Sequence, residues 1–191
     1  RVRELDVVLL ERLAVLVVED AAAALETAHG AKGRVEPVPT DGDYSIFIDY
    51  AVTPDAIENV LTTLRGIAPK RLVMLFGAGG DRDRKKRPIM GKLSADIADF
   101  VIVTSDNPRT EDPMSIIEEI LPGVRAGKAP YKVICDRPEA IRWAIDHHEP
   151  GDVILLCGKG HEDYQIIGHE KIHMDEREIV ADYLAERAKR T

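Results

Sequence analysis

Residues 71–109, RLVMLFGAGGDRDRKKRPIMGKLSADIADFVIVTSDNPR, decide the fold of this chain. They open on a largely apolar run, Arg71–Phe76, and close on a second, Phe100–Thr104. Continuous rather than alternating hydrophobicity marks strands covered on both faces, as in a parallel sheet. Between the two runs, Ile89–Ala98 has helical spacing. The stretch therefore predicts a strand, a crossover helix and a parallel strand, with a glycine-rich turn after the first strand.

The same pattern extends outward. Tyr44–Asp49, Tyr131–Cys135 and Val153–Cys157 read as further buried strands. Pro54–Arg65, Pro113–Leu121 and Pro138–His147 read as helices, each opening with a proline where the missing N–H is no loss. Alternation of this kind predicts an α/β domain with a doubly wound, mostly parallel, Rossmann-like sheet. Near the C-terminus a turn at Gly168 separates QII from KIHM, which predicts a hairpin, and a helix follows from about Asp175 to Ala188. The first forty residues differ. Leu5–Val18 is apolar-rich without a deciding period, and Glu19–Asp20 cap an Ala-rich helix ending near His29–Gly30. Lys32–Thr40, with Gly33, Pro37 and Pro39, reads as a linker. The expected organisation is a short helical segment over 1–33, an accessory or the remnant of a preceding domain, and the α/β domain over 34–191.

Composition bounds the function. The chain has 191 residues, 45% apolar and 31% charged, with 34 acidic against 26 basic side chains and a net charge of −8. At roughly 150 residues per domain this is one domain, or one plus a fragment, and long enough to bury a core without staples. An acidic balance with 5% aromatics argues against a nucleic-acid partner. No apolar run approaches the roughly 20 residues of a membrane span, and no signal-like segment opens the chain. Cys135 and Cys157 lie within apolar runs and suit reduced core positions. A soluble, cytoplasmic protein is the expectation.

Ligands of open α/β sheets bind beyond the carboxyl ends of the strands. There the sequence reads Asp49-Tyr-Ala-Val-Thr-Pro, Gly77-Ala-Gly-Gly-Asp-Arg-Asp, Ser105-Asp-Asn-Pro-Arg109, Asp136-Arg-Pro-Glu and Gly158-Lys-Gly-His-Glu162. Arg82, Arg84, Arg109, Arg137 and Lys159 would stand beside Asp81, Asp106 and Glu162. Arginine forks suit carboxylates or phosphates, and paired carboxylates suit an ammonium, so a zwitterion such as an amino acid fits. Ordinary turn chemistry explains any one of these loops. Five polar loops on one sheet edge favour a site.

Several look-alikes fail. Gly77-Ala-Gly79 would need glycine at Arg82 to be a dinucleotide fingerprint, and Gly158-Lys159 would need glycine at Val153 and Ser or Thr at Gly160 to be a phosphate loop. His169-Glu-Lys-Ile-His173 spells a zinc motif, but in a hairpin strand positions four apart lie about 13 Å apart, too far to chelate one ion. His147-His148 closes a helix and carries no chemistry. Trp143 and Met114 read as core. In the run Arg82–Arg87, Lys85 and Lys86 read as solvated, whereas Arg82 follows a glycine-rich strand end and stands above that background.

Read in order, GRVE (Gly33–Glu36), DYAVTPDAIENVL (Asp49–Leu61), FGAGGDRDRKKRPIMG (Phe76–Gly91), TSDNPRTEDP (Thr104–Pro113), DRPEAI (Asp136–Ile141) and GKGHEDYQ (Gly158–Gln165) resemble the C-terminal domain of the Mur ligases. DNPR paired with GKGHE resembles the members that take meso-diaminopimelate rather than lysine. The resemblance implies an ATP-dependent amide ligase of peptidoglycan precursor synthesis, which phosphorylates the D-Glu carboxyl of UDP-MurNAc-L-Ala-D-Glu. The amine of the diamino acid then attacks the acyl phosphate. It implies Arg82, Asp106, Asn107, Arg109, Gly158 and Glu162 as the diaminopimelate receptor, with Arg34 and Asp49 reaching the nucleotide. Arg82, Asn107 and Arg109 would take carboxylates, and Asp106 and Glu162 the distal ammonium. Members commonly carry His where this chain has Val52. ATP and Mg2+ would be held mainly by N-terminal and central domains that these residues do not include, so this chain alone is expected to be inactive. A non-catalytic amino-acid or peptide binding module is the alternative.

Overall fold

The computed structural model describes residues 20, 30–67 and 70–190. The apolar stretch at 5–18 and the helix expected from 20 to 29 fall outside them, apart from Asp20. Lys32–Thr191 is a compact unit. Its elements run β1 (Glu36–Val38), β2 (Ser45–Asp49), α1 (Pro54–Gly66), β3 (Arg71–Phe76), α2 (Lys86–Ile97), β4 (Phe100–Val103), α3 (Pro113–Ala126), β5 (Tyr131–Val133), α4 (Arg137–Asp146), β6 (Asp152–Cys157), β7 (Tyr164–Ile167), β8 (Glu170–His173) and α5 (Glu176–Ala188).

Six strands form one sheet in the order β1-β2-β6-β3-β4-β5, parallel except for β1. Strand periodicity sorts β3 cleanly between its faces. Leu72, Met74 and Phe76 meet α1, α2 and α3 on one side, while Val73 and Leu75 meet α4 and α5 on the other. Two helical layers therefore bury both faces, which is why the strands read as unbroken apolar runs. Thr53, Asp112, Asp136 and Asp175 cap α1, α3, α4 and α5 through side-chain acceptors, fixing where each helix starts after its loop.

Several boundaries differ from the sequence reading. Strand β5, read as buried over Tyr131–Cys135, is an edge strand over Tyr131–Val133 with Tyr131 and Lys132 exposed. The expected linker at Lys32–Thr40 contains β1, paired antiparallel with β2 through Glu36 opposite Ile48 and Val38 opposite Ile46. Pro37 is tolerated there because β1 is an edge strand. Helix α2 begins at Lys86 rather than Ile89, since Pro88 lies in its first turn, where N–H groups have no helical partner. Helix α3 runs through Pro122 to Ala126. Pro122 and Glu118 are exposed, so water can take the carbonyl that the proline leaves without a donor. The hairpin β7–β8 forms about Gly168 as expected.

Candidate functional site

Four loops at the carboxyl ends of β2, β3, β4 and β6 enclose a cleft of about 120 Å³. Its walls are Tyr50 and Val52, then Gly79, Arg82 and Lys86, then Asp106, Asn107 and Arg109, then Gly158 and Glu162. Roomier clefts of about 450 and 440 Å³ lie beside β1 and α5 and between α2 and α3, but their walls are mostly apolar. Size would favour those; convergence of both charge signs favours the small one.

The loops after β3 and β4 touch closely. A Cβ on Gly80 would lie 1.8 Å from the Pro108 carbonyl oxygen, so only glycine fits. Asp81 and Arg109 adopt left-handed backbone, φ 53° and 52°, on facing loops. Thr110 donates from its hydroxyl to Asp81 Oδ1 at 2.8 Å, and the Asp81 N–H donates to Glu111 Oε1 at 2.6 Å. Beneath them Arg87, with no exposed side-chain surface, donates to Glu111, Glu119 and the Gly79 carbonyl. The Arg87 hydrogen bonds hold Glu111 down to about 2. Arg109 is tied further by the hairpin: its N–H donates to the Ile166 carbonyl and its carbonyl accepts from Gly168. Its Nη1 donates to the Gly80 carbonyl at 2.9 Å.

The acidic wall is built on the loops after β4 and β6. Asp106 is 6% exposed; Oδ1 accepts the Asn107 N–H at 2.6 Å, while the buried Oδ2 has no hydrogen-bond partner. Gly158, at φ 113°, faces that oxygen, and a Cβ there would sit 2.7 Å from it. Glycine thus keeps the approach to Oδ2 clear. Asn107 donates from Nδ2 to Glu162 Oε2 at 2.9 Å, and its Oδ1 accepts from Lys159 Nζ and the Ile166 N–H. One Nδ2 hydrogen of the amide is left over. Burial alone would raise Glu162, but the hydrogen bonds from Lys159 and Asn107 hold it below the ordinary carboxylate range. Tyr50 Oη stands 3.4 Å from Glu162 Oε1, and burial followed by that carboxylate raises the phenol.

All six residues expected at the receptor, Arg82, Asp106, Asn107, Arg109, Gly158 and Glu162, line this one cleft. Other expected neighbours do not. Arg84 turns outward to Glu119. Arg137 is buried against Glu176 at 2.8 Å and donates to the Ser105 and Cys157 carbonyls. Lys159 is wholly buried under Glu162, and Asp81 is engaged by Thr110. Lys86, read as solvated, lines the cleft instead; Nζ donates to the Val52 carbonyl at 2.8 Å, and desolvation lowers its pKa. Tyr50 was not singled out, although its place directly after a strand end was the available signal. Met114, read as core, is 40% exposed at the start of α3.

Arg34 and Asp49 stand outside the cleft. Asp49 is buried, and Oδ2 accepts the Val35 N–H at 2.9 Å, holding the turn before β1. Arg34 is exposed, its guanidinium 5.6 Å from the centre of the Tyr50 ring. His169 falls in the hairpin turn, and His173 pairs with Glu178 at 2.5 Å. Among the described residues no group of three His, Cys, Asp or Glu side chains is placed to hold a metal, and no helix is long and apolar enough to cross a membrane.

The profile of the Mur ligase glutamate ligase domain matches residues 33–160. Among curated relatives, the UDP-N-acetylmuramoyl-L-alanyl-D-glutamate--2,6-diaminopimelate ligase of Caldanaerobacter subterraneus subsp. tengcongensis is 54% identical over 158 residues, 83% of this chain and 33% of that protein. The ligase of the same description from Trichormus variabilis is 53% identical over 170 residues, 88% of this chain and 34% of that protein. A solved structure of a UDP-N-acetylmuramoyl-L-alanyl-D-glutamate--2,6-diaminopimelate ligase superposes with a TM-score of 0.76 at 40% identity, covering 83% of this chain and 32% of that one. The chain spans about a third of the length of the curated relatives it matches.

Proposed function

We propose that this chain, which belongs to the Mur ligase family and carries its glutamate ligase domain, is the part of a diaminopimelate-adding ligase that holds the incoming amino acid. The observation that carries this reading is the bare Asp106 Oδ2. A buried carboxylate oxygen without a donor is costly unless a ligand supplies one. It faces the same small cleft as the cations Arg82 and Arg109, so the missing partner carries an ammonium and a carboxylate together.

Meso-diaminopimelate meets those demands. Its distal ammonium sits between Asp106 Oδ2 and Glu162, and its distal carboxylate on Arg109, with Arg82 and the spare Asn107 N–H beside it. The chain's residues bind and orient; they leave the other amine directed out of the cleft, toward an activated D-Glu carboxyl. We assign ATP and Mg2+ to parts of the ligase beyond these residues. There the nucleotide supplies the phosphoryl group that activates the carboxyl. The exposed Arg34 guanidinium suits a phosphate reaching in from that side, whereas Asp49 acts by holding the Arg34 turn through Val35. The relatives, described as 2,6-diaminopimelate ligases, support this substrate.

The test is an NMR titration of the labelled chain with meso-diaminopimelate, L-lysine and ATP in turn. Shifts at Arg82, residues 107–109 and 158–162 with diaminopimelate, weak or absent with lysine, are expected. Arg109→Ala should abolish that response while the spectrum stays folded; unchanged affinity would refute the assignment.

A further inference from the structure

We propose that Lys159 is a positioning residue of this receptor: it orients Asn107 and Glu162 from beneath and sets the charge of the ammonium site. The inference rests on the amino-acid reading above and adds to it a residue that never touches the ligand. Lys159 has no exposed side-chain surface, yet its ammonium lies 2.8 Å from both Asn107 Oδ1 and Glu162 Oε2. Its remaining neighbour is the Tyr164 ring, 5.2 Å from Nζ. A fully buried lysine with this pair of partners fixes two things.

The first is orientation. With Lys159 and the Ile166 N–H both donating to Oδ1, the Asn107 amide must turn Nδ2 toward Glu162 and the cleft. Removing the lysine takes away the stronger of the two donors. The second is charge. Asp106 and Glu162 together would present two negative charges to a single ammonium. Lys159 cancels one and consumes Glu162 Oε2, leaving Oε1 at 3.4 Å from the Tyr50 hydroxyl, with the Tyr164 phenol also beside the carboxylate. The acidic wall then matches one ammonium in charge.

The groups that face Glu162 come from every neighbouring element. They are Lys159 on its own loop, Asn107 with Asp106 and Arg109 after β4, Tyr50 after β2, and Tyr164 on β7, while Arg82 and Lys86 line the same cleft. Lys159 is the only cation among them that hydrogen-bonds the carboxylate among the described residues. Without it, loss of a contacting cation should move the Glu162 midpoint up by about one to three pH units.

The experiment follows the Glu162 carboxyl carbon by NMR against pH in the 191-residue chain and in Lys159→Met, together with meso-diaminopimelate affinity at pH 6 and pH 8.5. In the wild type the carboxyl stays ionised across that range and affinity varies little. In the variant the carboxyl midpoint moves up, so the loss of diaminopimelate affinity should be larger at pH 6 than at pH 8.5. Superimposable Glu162 titrations in the two proteins, or a loss of affinity equal at both pH values, would overturn the proposal, because a merely structural lysine gives no pH signature. Should Lys159→Met fail to fold, the double variant Lys159→Met/Glu162→Gln leaves neither member of the buried pair charged. Lys159→Met should there lose its pH dependence, and retention of that dependence would also overturn the idea. A wild-type chain that binds no diaminopimelate while Glu162 still shifts in Lys159→Met separates the two claims: it overturns the receptor, and with it this role, but not the pairing.

Discussion

Arg137→Met removes one cation far from the cleft surface and should cost the fold more than any cleft substitution. Arg137 and Glu176 form an ion pair with no exposed side-chain surface, and Glu176 Oε2 already lacks a partner. Taking away the arginine leaves a whole carboxylate uncompensated in the interior, which costs about 3–5 kcal/mol. Two carbonyls lose a donor as well, Cys157 at 2.9 Å and the more distant Ser105 at 3.3 Å. A chain of this size has only about 5–15 kcal/mol in hand, so the variant should be folded but fragile. Adding Glu176→Gln removes the stranded charge and leaves only the carbonyl losses, about 1–3 kcal/mol. The double variant should therefore be the more stable of the two. Urea unfolding followed through Trp143, the single tryptophan, located in α4, measures both. A double variant no more stable than Arg137→Met would refute the reasoning.

The surface pair Arg177–Glu36 gives an acid signature. Arg177 hydrogen bonds depress Glu36 to about 2, and Arg87 does the same to Glu111. Depressed carboxylates stabilise above their unfolded value near 4.5 and lose that contribution as pH falls toward 2. Thermal midpoints should fall between pH 4.5 and 2, and Glu36→Gln should flatten that slope. Gly158→Ala should leave the circular dichroism spectrum unchanged at a backbone cost of about 1–3 kcal/mol. Its methyl group would occupy the approach to Asp106 Oδ2, so diaminopimelate shifts in NMR should vanish; retained binding would mean that Oδ2 is not the ammonium site.

The fold was legible where burial is two-sided. Strands β2, β3, β4 and β6 announce themselves because both faces are covered, and the prolines and aspartates at helix starts mark their ends. Edge structure was not: β1 carries Pro37, is followed by Pro39, and buries only Val38 among its residues, so its composition is that of a linker. That the expected residues line one cleft followed from the crevice rule, but the aim of their side chains did not. Lys85, Lys86 and Arg87 show why. On a helix each residue turns about 100° from the last. Lys85 is exposed, Lys86 lines the cleft and Arg87 is buried against Glu111 and Glu119, though in the sequence they are one basic run. Arg137 and Arg109 likewise follow strands in similar loops, and only their partners separate them.

Those partners give the cleft its character. The loops after β3, β4 and β6 rest on cations buried beneath: Arg87 under the loops after β3 and β4, Arg137 across Ser105 and Cys157, Lys159 under Asn107 and Glu162. Arg87 and Arg137 are neutralised from other parts of the chain, by Glu111 and Glu119 and by Glu176, and Lys159 by Glu162 of its own loop. Once these pairs are removed from the count, the charges left facing the cleft are Asp106 against Arg82, Arg109 and Lys86, with Glu162 half engaged. A simple anion would satisfy the cations and leave Asp106 Oδ2 bare. A simple amine would do the reverse. On the proposed reading a ligand with both charges completes the cleft, and lysine, which lacks a second carboxylate, would leave Arg109 unmatched at a cost of about 1–3 kcal/mol. On that reading, a preference for a diamino diacid would come from which charges the buried pairs leave uncancelled.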